Sequence, residues 1–183
     1  MTNHGNQRAV VVTGASTGIG KAIALALDAN GFRVFAGVRK KSDGAALSRE
    51  AANTLTPIIL DVTDRSSIAR SVETVTASTN GELYGLVNNA GVWGASVADD
   101  DLDKTLADYE RIVGSNMKGE YLFGRAVIPI MLAQGTGGEI VNIATDHMVT
   151  CGTPNDLCPG LPSCPSSQPG GWPRPRLRAG CST

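Results

Sequence analysis

Residues 8–20 read Arg8-Ala9-Val10-Val11-Val12-Thr13-Gly14-Ala15-Ser16-Thr17-Gly18-Ile19-Gly20, and this stretch decides the fold. Arg8–Thr13 is an unbroken apolar run after one basic residue, the pattern of a strand buried on both faces. Gly18–Asn30 then reads as a helix, with Ile19, Ala22, Ile23, Ala26 and Leu27 on one face and Gly31 just past its end. Glycines between a strand and a helix let the backbone turn sharply and approach an anion without a Cβ in the way. The helix start adds unpaired N–H groups and the positive end of a dipole, so the context is that of a pyrophosphate site. Gly14, Ser16, Thr17, Gly18, Ile19 and Gly20 are the candidate phosphate-loop residues.

Outward from this loop, β-rich runs alternate with helical ones, the mark of a parallel sheet covered by crossover helices. Phe32–Val38, Pro57–Val62, Leu83–Asn88 and Glu139–Ala144 read as further strands. Ser42–Asn53, with Ser42 as its cap, and Arg65–Ser78, capped by Asp64, read as helices. A long helical region over about 103–134 is expected to bend near Gly114 to Gly119 and at Pro129. Five strands and four helices account for residues 1–150.

Residues 151–183 differ in kind. They hold all the Cys (Cys151, Cys158, Cys164 and Cys181) and most of the Pro, with no helical or alternating window, and a disordered tail is expected. The cysteines form no CxxC pair, so neither a metal site nor a disulfide framework is expected. Over the whole chain 16 basic residues balance 17 acidic ones, which argues against nucleic acid or an anionic membrane as partner. MTNHGNQR is no signal peptide and no long apolar stretch follows, so the expected location is the cytoplasm.

Thr13–Gly20, TGASTGIG, spaces its glycines G-x-x-x-G-x-G and resembles the fingerprint of the short-chain dehydrogenase/reductase family. Further matches follow in the family's order. Asp61 in LDVTD, followed by Val62, is similar to the strand-three Asp that binds adenine. Asn88-Asn89-Ala90-Gly91 resembles the NNAG that supports the sheet and lines the cofactor groove. Asn116 in SNMKG is similar to the active-site Asn, and GGEIVNIAT resembles strand five, leading to Thr145 at the catalytic serine position. The resemblance covers about 8–150. It implies a Rossmann-like, doubly wound sheet in the order 3-2-1-4-5, lacking the family's later strands and helices, and a dinucleotide as partner.

Such sites usually place an acidic residue at the end of strand two to accept from the ribose 2′-hydroxyl. Here that place reads Gly37-Val38-Arg39-Lys40-Lys41. An Arg fork pairs with a 2′-phosphate, whereas a carboxylate repels it, so NADP(H) is favoured over NAD(H). A solvated basic loop is the alternative reading of these residues.

The resemblance also implies hydride transfer between a nicotinamide and a carbonyl or alcohol, with a Tyr as acid/base, a Lys that lowers its pKa, the serine and the Asn. Asn116 and Thr145 match. The Tyr-x-x-x-Lys step is absent: the tyrosines are Tyr84, Tyr109 and Tyr121, and the last lysine is Lys118. The chain is therefore expected to be inactive, with a non-catalytic nucleotide-binding module or a nonfunctional fragment as alternatives. Residues from about 151 are expected to be a frameshifted or otherwise aberrant reading of a longer gene, which the other two reading frames would test. Family members assemble as homo-oligomers through the long helix and the Tyr-bearing helix, so assembly is not expected of a chain without the latter. Ile112, Leu122, Val127 and Ile130 are expected to lose packing partners, and strand five to become an edge.

Overall fold

The computed structural model describes residues 8–94 and 100–144; Thr145 and the 151–183 segment lie outside them. The strands are β1 Ala9–Val12, β2 Arg33–Val38, β3 Thr56–Ile59, β4 Gly85–Asn88 and β5 Glu139–Asn142. They form a five-stranded, all-parallel sheet in the order β3-β2-β1-β4-β5, the expected Rossmann-like arrangement. The helices are α1 Gly18–Ala29, α2 Lys41–Glu50, α3 Arg65–Thr79, α4 Leu102–Val113 and α5 Glu120–Ala133, with a π-helical turn, Gly114–Gly119, between the last two.

Side chains that alternate along each strand feed two apolar layers, because successive Cβ atoms point to opposite faces. Ala9 and Val11 of β1, Phe35 of β2 and Leu86 of β4 pack with Ile68 and Val75 of α3 and Phe123, Val127 and Met131 of α5. Val10, Val12, Val34, Ala36, Val38 and Val87 pack on the other layer with Ala24 of α1 and Leu47 of α2. A strand covered on both faces has no polar side to alternate with, which is why RAVVVT is apolar throughout.

The chain divides into two compact units. Among the described residues one comprises 8–94 and Tyr109–Ala144 and contains the sheet. Among the described residues the other comprises 100–108, where Lys104 pairs with Asp100 and Asp108. Among the described residues no helix is long and apolar enough to cross a membrane.

Several local expectations change. Helix α2 begins at Lys41 after Lys40, which makes no side-chain capping bond. Ser42 is therefore not the cap; its hydroxyl lies 3.2 Å from the Asp43 carboxylate. Asp64 does cap α3, accepting from the Ser66 N–H at 2.8 Å. The buried stripe of α1 is Gly20, Ala24 and Asp28, whereas Ile19 is 64% exposed and Ala22 and Ala26 are also exposed. Small residues at four-residue spacing let the helix lie close to the sheet, and Ile23 and Leu27 pack only along its flank. The long helical region is interrupted at Gly114–Gly119, as expected, but α5 runs continuously through Pro129, so among the described residues the α-helices number five. Val127 does not lose its partners: it is buried in the core, with Leu122 and Ile130 packed against that core.

Asp28 carries a role the sequence pattern hides. Its carboxylate is fully buried and accepts from the backbone N–H groups of Ala52 (2.7 Å), Asn53 (2.8 Å) and Thr54 (2.7 Å). The end of α1 thereby fastens the connection from α2 to β3. A buried carboxylate needs hydrogen-bond partners, and three partly buried backbone donors supply them here.

Candidate functional site

The sheet reverses its winding between β1 and β4, and a ligand crevice is expected at the carboxyl ends of these strands. The glycine loop leaves β1 there and meets the segment after β4. Thr13 is the hub: its hydroxyl accepts from the N–H groups of Asn89 and Ala90, both at 2.9 Å. The Asn89 amide donates to the carbonyls of Thr13 (3.0 Å) and Gly14 (3.2 Å). Sequence reasoning assigned Thr13 no role, although it stands beside the first glycine of the fingerprint.

Two glycines make this junction possible. Gly14 has φ +64°, and a Cβ there would lie 2.7 Å from the Ala90 Cα. A Cβ on Gly20 would lie 2.3 Å from the Asn89 amide nitrogen and 2.4 Å from the Gly14 carbonyl oxygen. Both are far inside contact distance, so Gly14, Gly20, Asn89 and Ala90 form one tightly packed group. Ser16 is half-buried, and Thr17, Gly18 and Ile19 form the exposed part of the loop. The Thr17 side chain makes no capping bond to α1. The first N–H groups of any α-helix lack an intrahelical acceptor, so this helix end retains its donors for an anion. Among the described residues, and apart from the adjoining chain, no atom lies within 4 Å of where a Gly18 Cβ would be. This donor set and the room beside it fit a pyrophosphate.

At the neighbouring strand ends, Val38 is 1% exposed and Arg39 is exposed. Asp61 follows β3 and turns back on itself, its carboxylate accepting from the Thr63 hydroxyl (2.7 Å) and N–H (2.9 Å). The Thr63 hydroxyl contributes most to holding Asp61 below the usual carboxylate range. Partial burial opposes it, and the Thr63 N–H and the Arg39 charge add to the lowering. Val62 is buried beneath the π-helical turn; a Cβ on Gly119 would come within 2.8 Å of its Cγ2.

Asn116 lies in that turn. Its amide oxygen accepts from the Val92 N–H (2.8 Å) and its nitrogen donates to the Val92 carbonyl (3.0 Å). A Cβ on Gly91 would lie 3.4 Å from the same oxygen. Asn116 thus clamps the segment after NNAG, while a π-helical turn displaces backbone carbonyls from their usual i to i+4 partners. The structure joins Gly14, Gly20, Asn89 and Ala90, places Arg39 near Asp61, and joins Gly91 to Asn116. It says nothing of Thr145. A separate cavity of about 660 Å³, lined by Arg8, Arg33, Tyr84, Gln134 and Glu139 among others, opens at the amino ends of the strands, away from this crevice.

A family model described as short chain dehydrogenase matches residues 8–150. Human retinol dehydrogenase 5 is 34% identical over 137 residues, 74% of this chain and 42% of that protein. Levodione reductase of Leifsonia aquatica is 32% identical over 149 residues, 79% of this chain and 54% of that protein. A crystal structure of a short-chain type dehydrogenase/reductase from Mycobacterium marinum matches with TM-score 0.74 at 30% identity, covering 82% of this chain and 60% of that one. The chain spans about half the length of the curated relatives it matches. With the fold, the glycine junction and the family model all covering the same stretch, the chain belongs to the short-chain dehydrogenase family.

Proposed function

We propose that residues 1–150 form a nucleotide-binding domain that takes NADP(H) in preference to NAD(H). Its lineage moves hydride between a nicotinamide and a carbonyl or alcohol, and this 183-residue chain by itself does not turn over. The observation that carries the reading is the loop junction, where Gly14 and Gly20 leave no room for a Cβ and α1 starts without a side-chain cap.

The loop residues Gly14 and Ser16–Gly20 hold the pyrophosphate through backbone N–H groups. Asp61 and Val62 receive the adenine, and Arg39 pairs with the 2′-phosphate, in a place where buried Val38 offers no carboxylate. Asn89, Ala90 and Gly91 line the groove toward the nicotinamide. A bound nicotinamide supplies the hydride acceptor or donor. Thr145 orients the substrate oxygen, and Asn116 shapes the wall beside it. Moving the proton requires a phenol activated by a neighbouring cation, and no Tyr-x-x-x-Lys step stands in the sequence.

Calorimetric titration of the full chain with NADPH and NADH tests this. NADPH is expected to bind about tenfold more tightly, the worth of a charge-assisted hydrogen bond, and Arg39→Gln to erase the difference. Equal or tighter NADH binding overturns the preference, and failure to bind either overturns the assignment. Cofactor oxidation with a panel of carbonyl compounds would overturn inactivity.

A further inference from the structure

Asn30 and Asn80 are the asparagines that glycine follows, and each pair ends a helix. Asn30-Gly31 closes α1 and Asn80-Gly81 closes α3, with Gly31 at φ +82° and Gly81 at φ +84°. Glycine puts no Cβ beside its backbone nitrogen, so in such a pair that nitrogen can reach the asparagine side-chain carbon. Both asparagines are exposed, but they are held differently. The Asn30 side-chain nitrogen donates to the Ala26 carbonyl at 2.8 Å. Its N–H lies 3.1 Å from the carbonyls of Ala26 and Leu27, and the Gly31 N–H donates to Asp28, the buried fastener, at 3.0 Å. Asn80 stands at φ +54°, and among the described residues its side chain makes no hydrogen bond. Its turn rests on the Thr76 carbonyl, which accepts from the Asn80 N–H and, at 2.9 Å, from the Gly81 N–H.

We propose that Asn80 is a self-modification site, deamidating by attack of the Gly81 nitrogen, and that Asn30 is spared by its own hydrogen bonds. The Gly81 nitrogen gives up its proton and bonds to Asn80 Cγ. The Cγ–Nδ2 bond breaks, and the amide leaves with that proton as ammonia, closing a succinimide. Water then opens the ring at either carbonyl, giving aspartate or isoaspartate. The Gly81 N–H must first part from Thr76, and a helix end opens at little cost. At Asn30 the same opening must also free the side-chain amide from Ala26. One such bond is worth about a fivefold difference in rate. The product carboxylate stands at the negative end of the α3 dipole, where an anion is unfavourable. Isoaspartate also adds a methylene to the main chain before Gly81, which displaces its N–H from the Thr76 carbonyl.

The test ages the full chain in mildly alkaline buffer, folded and in urea, and follows the tryptic peptides 22–33 and 71–104 by mass spectrometry, with electron-transfer fragmentation to locate isoaspartate. In the folded chain Asn80 is expected to convert about fivefold faster than Asn30, and in urea the two rates should converge. Equal rates in the folded chain, or Asn30 leading, overturn the proposal. So does a folded chain in which Asn80 stays intact while both sites convert in urea. A rate difference that persists in urea overturns the structural cause. Asn80→Gly keeps a left-handed cap and should remove the conversion in peptide 71–104; conversion there at the parent rate would place the site at another asparagine. Hydrogen exchange of the Gly81 N–H should speed up as the parent ages and stay constant in Asn80→Gly. An aged, converted parent with unchanged exchange overturns the loss of the cap.

Discussion

Strands β1 and β5 are both four-residue parallel strands with an apolar centre, AVVV and EIVN, yet they live in different surroundings. Every residue of β1 is buried, while every residue of β5 is exposed, Ile140 at 38% and Val141 at 49%. The difference lies in neighbours. β1 pairs with β2 and β4 and is covered by a helical layer on each face. Among the described residues β5 pairs only with β4. Burial is thus conferred by position in the strand order, and an apolar pair on an edge contributes little until something covers it.

The largest effect that bears on this contrast is on the covered side. Asp28→Ala removes a buried acceptor shared by three partly buried backbone donors and should cost about 2–4 kcal/mol, read as a lower urea midpoint; a change below about 1 kcal/mol would mean that water replaces the carboxylate freely. Gly20→Ala comes next, at roughly 2–3 kcal/mol from overpacking against Asn89 and Gly14. It should also abolish NADPH binding, whereas an alanine at exposed Gly135 should leave that binding intact. The strands can then be compared directly. Val11→Ala should cost about 2 kcal/mol and Val141→Ala under about 1 kcal/mol; equal losses would show that β5 is covered in solution.

The smallest effects are electrostatic and opposite in sign. Asp61 is lowered in the folded chain, chiefly by the Thr63 hydroxyl. Its contribution to stability is present above the unfolded value of about 4 and is lost as pH falls through the folded value. Thr63→Val should therefore weaken stability at neutral pH more than in strong acid. Glu120 is raised by burial, so its carboxylate subtracts from stability once pH exceeds the unfolded value, and fully above the folded one. Glu120→Gln should gain stability near neutral pH and none near about pH 3; equilibrium unfolding at both pH values checks each sign.

Much of the candidate site was legible because it depends on local sequence. TGASTGIG, LDVTD and NNAG each sit where a strand ends, and the spacing of strands with crossovers dictates that those ends share one side of the sheet. The Ser42 cap failed because α2 starts one residue earlier, at Lys41, without any side-chain cap. The face of α1 was misjudged because a helix lying close to a sheet buries its smallest stripe rather than its greasiest. Thr13 and Asp28 stayed hidden because their partners, Asn89 and Ala90 and the 52–54 backbone, are remote in sequence and mostly backbone groups.

By itself the sequence determined the element order, the parallel sheet, the glycine turn, the basic residue at the end of β2 and the absence of a Tyr-x-x-x-Lys step. These follow from periodicity, turn chemistry and residue type, which act over a few neighbours. Only the tertiary structure decided which glycines leave no space for a Cβ, that Asp28 is a buried fastener, that Asn116 grips the Val92 backbone, and that β5 is exposed. Each of these depends on which backbone groups come within hydrogen-bonding or contact distance once distant segments pack, and side-chain identity along the chain does not encode that distance.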